Sequence, residues 1–176
     1  MQTNIALIGY MGTGKTVVGQ LLAEKLGMKF IELDRLIEQE AGKSIPEIFQ
    51  QDGEIGFREL EIEATKKIAR EKYCVIACGG GLVLNKINID RLKEGARIVY
   101  LTASPRATLK RVSGQAGQRP LLEVENQLKT INEMLKFRKP FYERAADITI
   151  NTSKLDADAV ADKIIEKLRE DESFNF

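Results

Sequence analysis

The sequence predicts an α/β protein in which a parallel sheet of about five strands lies between two layers of helices. Short apolar runs, of which Asn4–Ile8 is the first, have the look of strands buried on both faces. Segments with apolar residues at helical spacing separate these runs, and such alternation is typical of βαβ units with parallel strands. Ligands bind such sheets beyond the carboxyl ends of the strands, so the loops at that edge should meet in one cleft. Those loops begin at Gly9, Leu33, Gly79 and Thr102.

Each element follows from its local pattern. The predicted strands cover residues 4–8, 30–33, 73–78, 97–101 and 147–151, and the predicted helices cover residues 14–26, 34–41, 45–70, 86–93, 104–112 and 155–168. Gly27 can end the first helix, and Pro105 suits the first turn of the helix over 104–112. Asp52 and Gly53 should bend or break the helix over 45–70. Residues 113–120 look like a mobile flap, and residues 171–176 are expected to fray.

Length and composition indicate one globular domain over residues 1–176. The formal net charge is +1, from 27 basic and 26 acidic residues, which argues against nucleic acid or an anionic membrane as the main partner. The apolar runs are too short to span a bilayer, and the N-terminus does not have the pattern of a signal peptide. We therefore expect a cytoplasmic monomer.

Two features narrow the chemistry. The chain contains no histidine, which excludes a histidine base and leaves few ligands for a transition metal. Cys74 and Cys78 lie four residues apart in a predicted strand, about 13 Å at a rise of ~3.3 Å per residue. A disulfide needs Cα atoms within roughly 7 Å, so buried reduced thiols are expected.

The stretch from Gly9 to Thr16, Gly-Tyr-Met-Gly-Thr-Gly-Lys-Thr, matches the phosphate-binding P-loop pattern at every fixed position. Its glycines let successive backbone N–H groups turn toward phosphate oxygens, and the following helix points its positive end at them. Lys15 is expected to reach the β- and γ-phosphates, and Thr16 to ligate Mg²⁺. The predicted ATP-binding residues of the loop are Gly12, Thr13, Gly14, Lys15 and Thr16.

A P-loop alone leaves kinases, ATPase motors and GTPase switches open. A GTPase would carry an Asn-Lys-x-Asp guanine reader, but the nearest match, residues 85–88, lacks the aspartate and comes too early. A motor would normally be longer. A small kinase is therefore favoured.

Further motifs make the chain resemble shikimate kinases over nearly its whole length. They begin with Leu33-Asp34-x-x-Ile37-Glu38 and Gly53-Glu54-x-x-Phe57-Arg58-x-x-Glu61, and continue with Gly79-Gly80-Gly81, Arg119-Pro120-Leu121-Leu122 and Arg138-x-Pro140-x-Tyr142. The resemblance implies the P-loop kinase fold, with a helical substrate-binding insert near 33–61 and a lid near 112–124. It also implies transfer of a phosphoryl group from ATP to the 3-hydroxyl of shikimate, with Mg²⁺, in aromatic amino-acid biosynthesis.

The resemblance also assigns roles to residues outside the loop. Asp34 would hold the acceptor hydroxyl and receive its proton, and Arg119 would close with the lid over the transferring phosphoryl group. The shikimate-binding residues would be Asp34, Arg58, Gly79, Gly80, Gly81 and Arg138. A guanidinium offers a carboxylate two parallel donors, which suits Arg58 and Arg138. Arg111 is a weaker phosphate candidate, and Glu61 could orient Arg58.

Each of these residues also has a plainer interpretation. Asp34 could cap a helix, Arg58 could form a surface ion pair with Glu54, the glycines could form a turn, and Arg119 could be a solvated loop residue.

Two stretches depart from the family pattern or leave it undefined. Glu32 stands where the family commonly has an aspartate that helps to hold Mg²⁺ through water. Residues 151–154, near the family's adenine pocket, allow no assignment. The alternatives to shikimate kinase are a gluconate or nucleoside monophosphate kinase and an ATP-binding regulatory module without turnover.

Overall fold

The structure, a computed structural model, describes residues 1–112 and 127–176. Five strands form one sheet: β1 (Asn4–Ile8), β2 (Lys29–Glu32), β3 (Cys74–Ala77), β4 (Ala96–Thr102) and β5 (Ile148–Asn151). The helices are α1 (Lys15–Leu26), α2 (Leu33–Ala41), α3 (Ile45–Ile68), α4 (Lys86–Lys93), α5 (Pro105–Val112), α6 (Gln127–Ala145) and α7 (Ala157–Arg169), with a short 3₁₀ turn at Leu82–Leu84 before α4.

The sheet is parallel throughout, with the strand order β2-β3-β1-β4-β5. The central strand β1 lies between β3 and β4 in register, with Leu7 opposite both Ala77 and Val99. Because the strands are parallel, the loops after β1, β2, β3 and β4 leave from one edge of the sheet. β2 and β3 lie on one side of β1 and β4 and β5 on the other, and ligands bind such sheets where the strand order reverses. The predicted three-layer α/β/α architecture is confirmed.

Side chains alternate along the strands and fill two cores, one on each face of the sheet. One face packs against α1 and α7, and its buried residues include Ile5, Leu7, Val18, Leu22, Ile164 and Leu168. The other face packs against α2, α3, α4 and α6, and its buried residues include Ala6, Ile8, Ile37, Phe57, Ile76, Leu92 and Tyr142. Burial on both faces explains why the three inner strands β1, β3 and β4 read as nearly continuous apolar runs.

Most predicted boundaries agree with the structure to within two residues. α1 ends at Gly27, whose left-handed φ of 63° lets its N–H bond to the last turn. α3 bends at Gly53, which has φ 69° and ψ −175° inside an otherwise continuous helix. The strand predicted over 30–33 instead ends at Glu32, because Leu33 already starts α2 and packs into the core.

Two parts of the chain differ from the sequence-based expectation. The helix α6 was not predicted, although its buried residues Ile131, Arg138 and Tyr142 lie at helical spacing; Pro140 within it lacks one backbone donor. The expectation that residues 171–176 fray is wrong. Phe174 is buried, forms an isolated parallel bridge with Gln2, and packs in the α1/α7 core.

Both cysteines are free and buried, as expected. Burial raises the pKa of the Cys78 thiol to about 12, so it stays protonated. Within residues 1–112 and 127–176, no helix is both long and apolar enough to cross a membrane.

Candidate active site

The phosphate loop joins β1 to α1 and needs glycine for steric reasons. Gly9 has φ 148°, and a Cβ there would collide with the carbonyl oxygen of Leu101. Gly12 has φ 76°, and a Cβ there would lie 2.8 Å from a methyl group of Val112. The loop is therefore wedged between β4 and α5, and its backbone path is fixed by its neighbours.

Lys15, the first residue of α1, folds back over the loop. Its Nζ donates to the carbonyl oxygens of Gly9 at 2.7 Å and Tyr10 at 2.9 Å. Thr13 is buried and its hydroxyl donates to the Tyr10 carbonyl at 2.8 Å. These bonds hold the ammonium group at the concave side of the loop, within the positive end of α1.

Thr16 connects the loop to the end of β2. Its hydroxyl donates to Oε1 of Glu32 at 2.7 Å, while Oε2 of Glu32 pairs with Nε of Arg35 at 3.0 Å. The additional methylene of glutamate therefore does not prevent this acid from reaching the Thr16 hydroxyl. This hydrogen bond uses the hydrogen of the hydroxyl group and leaves the lone pairs of its oxygen available. Hydroxyl and carboxylate oxygens are ligands that suit Mg²⁺.

Asp34 lies in the first turn of α2, at the carboxyl edge of the sheet. Glu32 is the N-cap of this helix, so the alternative interpretation of Asp34 as the capping residue is wrong. A Cβ on Gly79 would lie 2.9 Å from Oδ1 of Asp34 and 3.1 Å from Oε2 of Glu61. The glycine therefore allows two carboxylates to approach the backbone after β3.

Glu61 is completely buried, and its Oε2 has no hydrogen-bond partner in the described part of the chain. Its Oε1 accepts a bond from Nη1 of Arg58 at 2.9 Å. Burial raises the pKa of Glu61 to about 7; Arg58 opposes this rise and Asp34 adds to it. The sequence spacing of three residues on a helix made the Arg58–Glu61 contact predictable.

Arg58 lies against the last glycine of the triplet. A Cβ on Gly81 would lie 2.7 Å from the central carbon of its guanidinium group. The plainer interpretation, an ion pair with Glu54, is also present at 3.4 Å, but the side chain of Arg58 is only 16% exposed. Arg58 is thus a largely buried residue whose guanidinium group is held by its hydrogen bond to Glu61.

Arg138, on α6, approaches the middle glycine. It is only 4% exposed, and its Nη1 lies 3.4 Å from the position of a Cβ on Gly80. That same position is 3.6 Å from the carbonyl oxygen of Gly9 in the phosphate loop. The hydroxyl of Tyr142, one turn further along α6, donates to the Gly80 carbonyl. The triplet therefore brings both arginines and Asp34 beside the phosphate loop.

The family model for shikimate kinase matches residues 11–169. The chain belongs to the shikimate kinase family. A shikimate kinase of Thermodesulfovibrio yellowstonii is 48% identical over 164 residues, which cover 93% of this chain and 94% of that protein. One of Caldanaerobacter subterraneus subsp. tengcongensis is 47% identical over 162 residues, covering 92% and 94%.

A solved structure agrees with these relatives. The shikimate kinase of Acinetobacter baumannii in complex with shikimate superposes with a TM-score of 0.93 at 38% identity, covering 98% of this chain and 96% of that one. The chain is thus an ATP-dependent kinase of the shikimate pathway, and neither the other kinases nor the regulatory module is favoured.

Arg111, the weaker candidate of the sequence, connects two parts of the nucleotide side. Its guanidinium donates to the carbonyl oxygen of Gly12 at 3.1 Å and to that of Thr152 at 2.8 Å. The buried hydroxyl of Thr152 lies 3.2 Å from the carbonyl oxygen of Thr13. Residues after β5 therefore touch the phosphate loop, although no sequence pattern had assigned them.

One predicted residue lies outside the described part of the chain, and one residue of the site was not predicted. Arg119 and most of the predicted lid near 112–124 lie outside the described residues. Tyr10 was not singled out, because it occupies a variable position of the loop pattern, yet it is completely buried and faces Arg138. Only the folded arrangement of α5 and α6 around the loop identifies it.

Proposed function

We propose that this chain transfers the γ-phosphoryl group of ATP to the 3-hydroxyl of shikimate in the cleft between the phosphate loop and the glycine triplet. The observation that carries the residue assignment is the convergence on that triplet. Asp34, Arg138 and Arg58 each lie against one of its three successive glycines, and the middle glycine also borders the loop carbonyl of Gly9. A small hydroxylated acid needs such a combination: a carboxylate for the hydroxyl and guanidinium groups for the acid.

On the acceptor side, Arg58 and Arg138 would bind the shikimate carboxylate through paired N–H donors. The backbone of Gly79, Gly80 and Gly81 would lie against the ring. Asp34 would accept a hydrogen bond from the acceptor hydroxyl, which aligns its oxygen for attack. This arrangement contributes to the rate mainly by positioning.

On the nucleotide side, the amides of Gly12, Thr13 and Gly14 would surround the phosphates. Lys15 would leave its carbonyl partners in the loop and donate to the β- and γ-phosphate oxygens instead. Arg119 would add a second positive charge beside the transferring phosphoryl group. These groups stabilise charge that spreads over the transferring phosphoryl group.

In the transfer step, the acceptor oxygen forms a bond to the γ-phosphorus while the bond from that phosphorus to the bridging oxygen of ADP breaks. The proton of the acceptor hydroxyl passes to Asp34 and then to solvent. The products are ADP and shikimate 3-phosphate, so atoms and charge balance.

We propose Mg²⁺ as the metal ion, held by the Thr16 hydroxyl and the phosphates of ATP. The fit is supported by the Thr16–Glu32 hydrogen bond, which directs the hydroxyl proton to the carboxylate and leaves oxygen lone pairs for a cation. When bound, Mg²⁺ neutralises phosphate charge. Glu32 would orient Thr16 and accept hydrogen bonds from metal-bound water.

We further propose a cytoplasmic monomer that needs neither nucleic acid nor membrane. The near-neutral charge supports the absence of a nucleic-acid or anionic-membrane partner, because no strong excess of basic residues is available for a polyanion.

The test is release of ADP from ATP and Mg²⁺ with shikimate, gluconate, AMP or no acceptor. Shikimate should raise the rate far above the other three conditions. A rate with shikimate equal to the blank would disprove the proposed substrate. Equal stimulation by gluconate would show that the carboxylate and hydroxyl groups are recognised without regard to the ring.

A further inference from the structure

Tyr10 belongs to the phosphate loop, but its side chain points away from solvent and is completely buried. It forms a small apolar cluster with Val112 and Ile131, against which Met11 and Leu109 also pack. The loop is therefore anchored by one aromatic ring in a core that is separate from the two faces of the sheet.

The same ring faces the substrate side. The guanidinium carbon of Arg138 lies 5.9 Å from the centre of the Tyr10 ring, within the range of a cation–π contact. Arg138 is almost fully buried, so this contact is largely shielded from water. Cation–π contacts are stronger when they are shielded in this way. The arginine that borders Gly80 thus has an aromatic residue of the nucleotide loop as one of its neighbours.

The remaining members of the cluster belong to the two helices that flank residues 113–126. Val112 is the last residue of α5, and Ile131 lies near the start of α6. Val112 also presses on Gly12, where a Cβ would come within 2.8 Å of it. One ring is therefore in contact with the arginine and with both helices, while its backbone is part of the phosphate loop.

We propose that Tyr10 is a positioning residue that couples the two substrate sites: nucleotide in the phosphate loop and a carboxylate on Arg138 strengthen each other's binding through the Tyr10 ring. The proposal rests on the proposed function, because it takes Arg138 as a carboxylate-binding residue.

The physical reason is preorganisation. Phosphate bound by the loop amides would restrict the motion that the loop backbone and the Tyr10 ring still have, and the ring would in turn restrict the guanidinium group that it faces. A carboxylate then binds a guanidinium group whose conformational freedom is already reduced, so the entropy cost of binding is smaller. Coupling of this kind is reciprocal, so shikimate must tighten nucleotide binding by the same factor.

The ring, and not the hydroxyl group, makes these contacts. The hydroxyl of Tyr10 is buried and has no hydrogen-bond partner among residues 1–112 and 127–176. Burial raises its pKa, and Arg138 opposes that rise. Phenylalanine should therefore replace tyrosine without loss of coupling, whereas leucine keeps apolar volume but lacks the aromatic face.

Isothermal titration calorimetry tests this by measuring the dissociation constant of shikimate with and without saturating Mg²⁺ and ADP. In the natural protein and in Tyr10→Phe, ADP should tighten shikimate binding by about fivefold or more. In Tyr10→Leu the same comparison should give less than about twofold. Tyr73→Leu, which changes a half-exposed tyrosine just before β3, should behave like the natural protein.

The outcomes separate this inference from the proposed function. If shikimate binds in neither condition, the proposed substrate site and the coupling both fail. If shikimate binds but ADP has no effect in the natural protein, or if Tyr10→Leu keeps the full effect, only the role of Tyr10 is disproved. Thermal unfolding checks each variant, and Tyr10→Met serves as the non-aromatic replacement if Tyr10→Leu does not fold.

Discussion

Arg58 donates to the fully buried carboxylate of Glu61 at 2.9 Å, and this pair lies directly beneath the glycine triplet. Arg58 belongs to the surface that we assign to substrate binding, and Glu61 is an acidic group that folding has removed from water. Since the other oxygen of Glu61 lacks a partner in the described part of the chain, burial is only partly compensated. This arrangement makes stability depend on pH.

We expect the free energy of unfolding of the natural protein to fall, compared with that of Glu61→Gln, as pH rises from about 4.5 to about 7. The folded state raises the pKa of Glu61 from 4.5 to about 7, so it binds a proton more tightly than the unfolded state does. The stabilisation from this proton is complete below the unfolded pKa and is lost as pH passes through the folded one. Between pH 5 and 7 the difference should change by about 2 kcal/mol.

Urea unfolding of both proteins at several pH values measures this change. Glu63→Gln, which alters a neighbouring acid that is not fully buried, serves as the control and should follow the natural protein. A constant difference between Glu61→Gln and the natural protein across this range would show that Glu61 does not titrate there.

Replacing Arg58 by lysine should raise the KM for shikimate by about tenfold or more and leave the KM for ATP nearly unchanged. Lysine keeps the charge but cannot offer two parallel donors or reproduce the bond to Glu61. Steady-state kinetics with each substrate varied in turn gives both constants. Arg144→Lys, on an exposed arginine stacked on Phe141, should change neither. An unchanged KM for shikimate in Arg58→Lys would remove Arg58 from the carboxylate site.

Replacing Lys15 by alanine should lower kcat by about a hundredfold, because its ammonium group is expected to stabilise charge that develops on the transferring phosphoryl group. Lys25→Ala provides a matched change in the same helix, where Lys25 pairs with Asp158 and Asp162. That variant should retain kcat. Comparable losses in the two variants would mean that the effect comes from helix stability and not from phosphate contact.

Replacing Glu32 by glutamine should raise the Mg²⁺ concentration needed for tight ADP binding by roughly tenfold. The change removes the negative charge to which the Thr16 hydroxyl donates. Calorimetric titration of ADP at a series of Mg²⁺ concentrations measures this without turnover. Glu40→Gln, on an acid of α2 that pairs with Lys67, should keep the natural Mg²⁺ dependence. If Glu32→Gln does so too, the family's acidic metal partner has no functional counterpart at this position.

Replacing Phe174 by alanine should lower the free energy of unfolding by about 3 kcal/mol, because a buried aromatic residue leaves a cavity. Phe176→Ala, on the more exposed ring that meets Phe174 edge to face, should cost about 1 kcal/mol. Denaturant unfolding measures both. A negligible cost at both positions would restore the expectation that the C-terminal residues fray.

The sequence predicted the sheet well because strands buried on both faces give apolar runs, as residues 5–8 of β1 do. It did not predict the attachment of Phe174 to Gln2, since a pairing of residues 172 positions apart leaves no local pattern. Helix α6 was missed although Ile131, Arg138 and Tyr142 mark its buried side.

For the site, spacing alone made the Arg58–Glu61 pair and the phosphate loop predictable. The assignments of Asp34 and Arg138 depended on resemblance to a family, because neither residue has a local signature of substrate contact. Contacts such as Arg111 with Thr152 depend on how α5 and β5 meet, which tertiary packing alone determines.

The bridge between Gln2 and Phe174 lies at the amino-terminal edge of the sheet, while the phosphate loop and the glycine triplet lie at the opposite edge. An affinity tag or a surface linker attached near residue 2 or near residue 174 would therefore lie away from the substrate cleft. A protein immobilised at either position would present its cleft to solution, which suits surface-based measurement of nucleotide and shikimate binding.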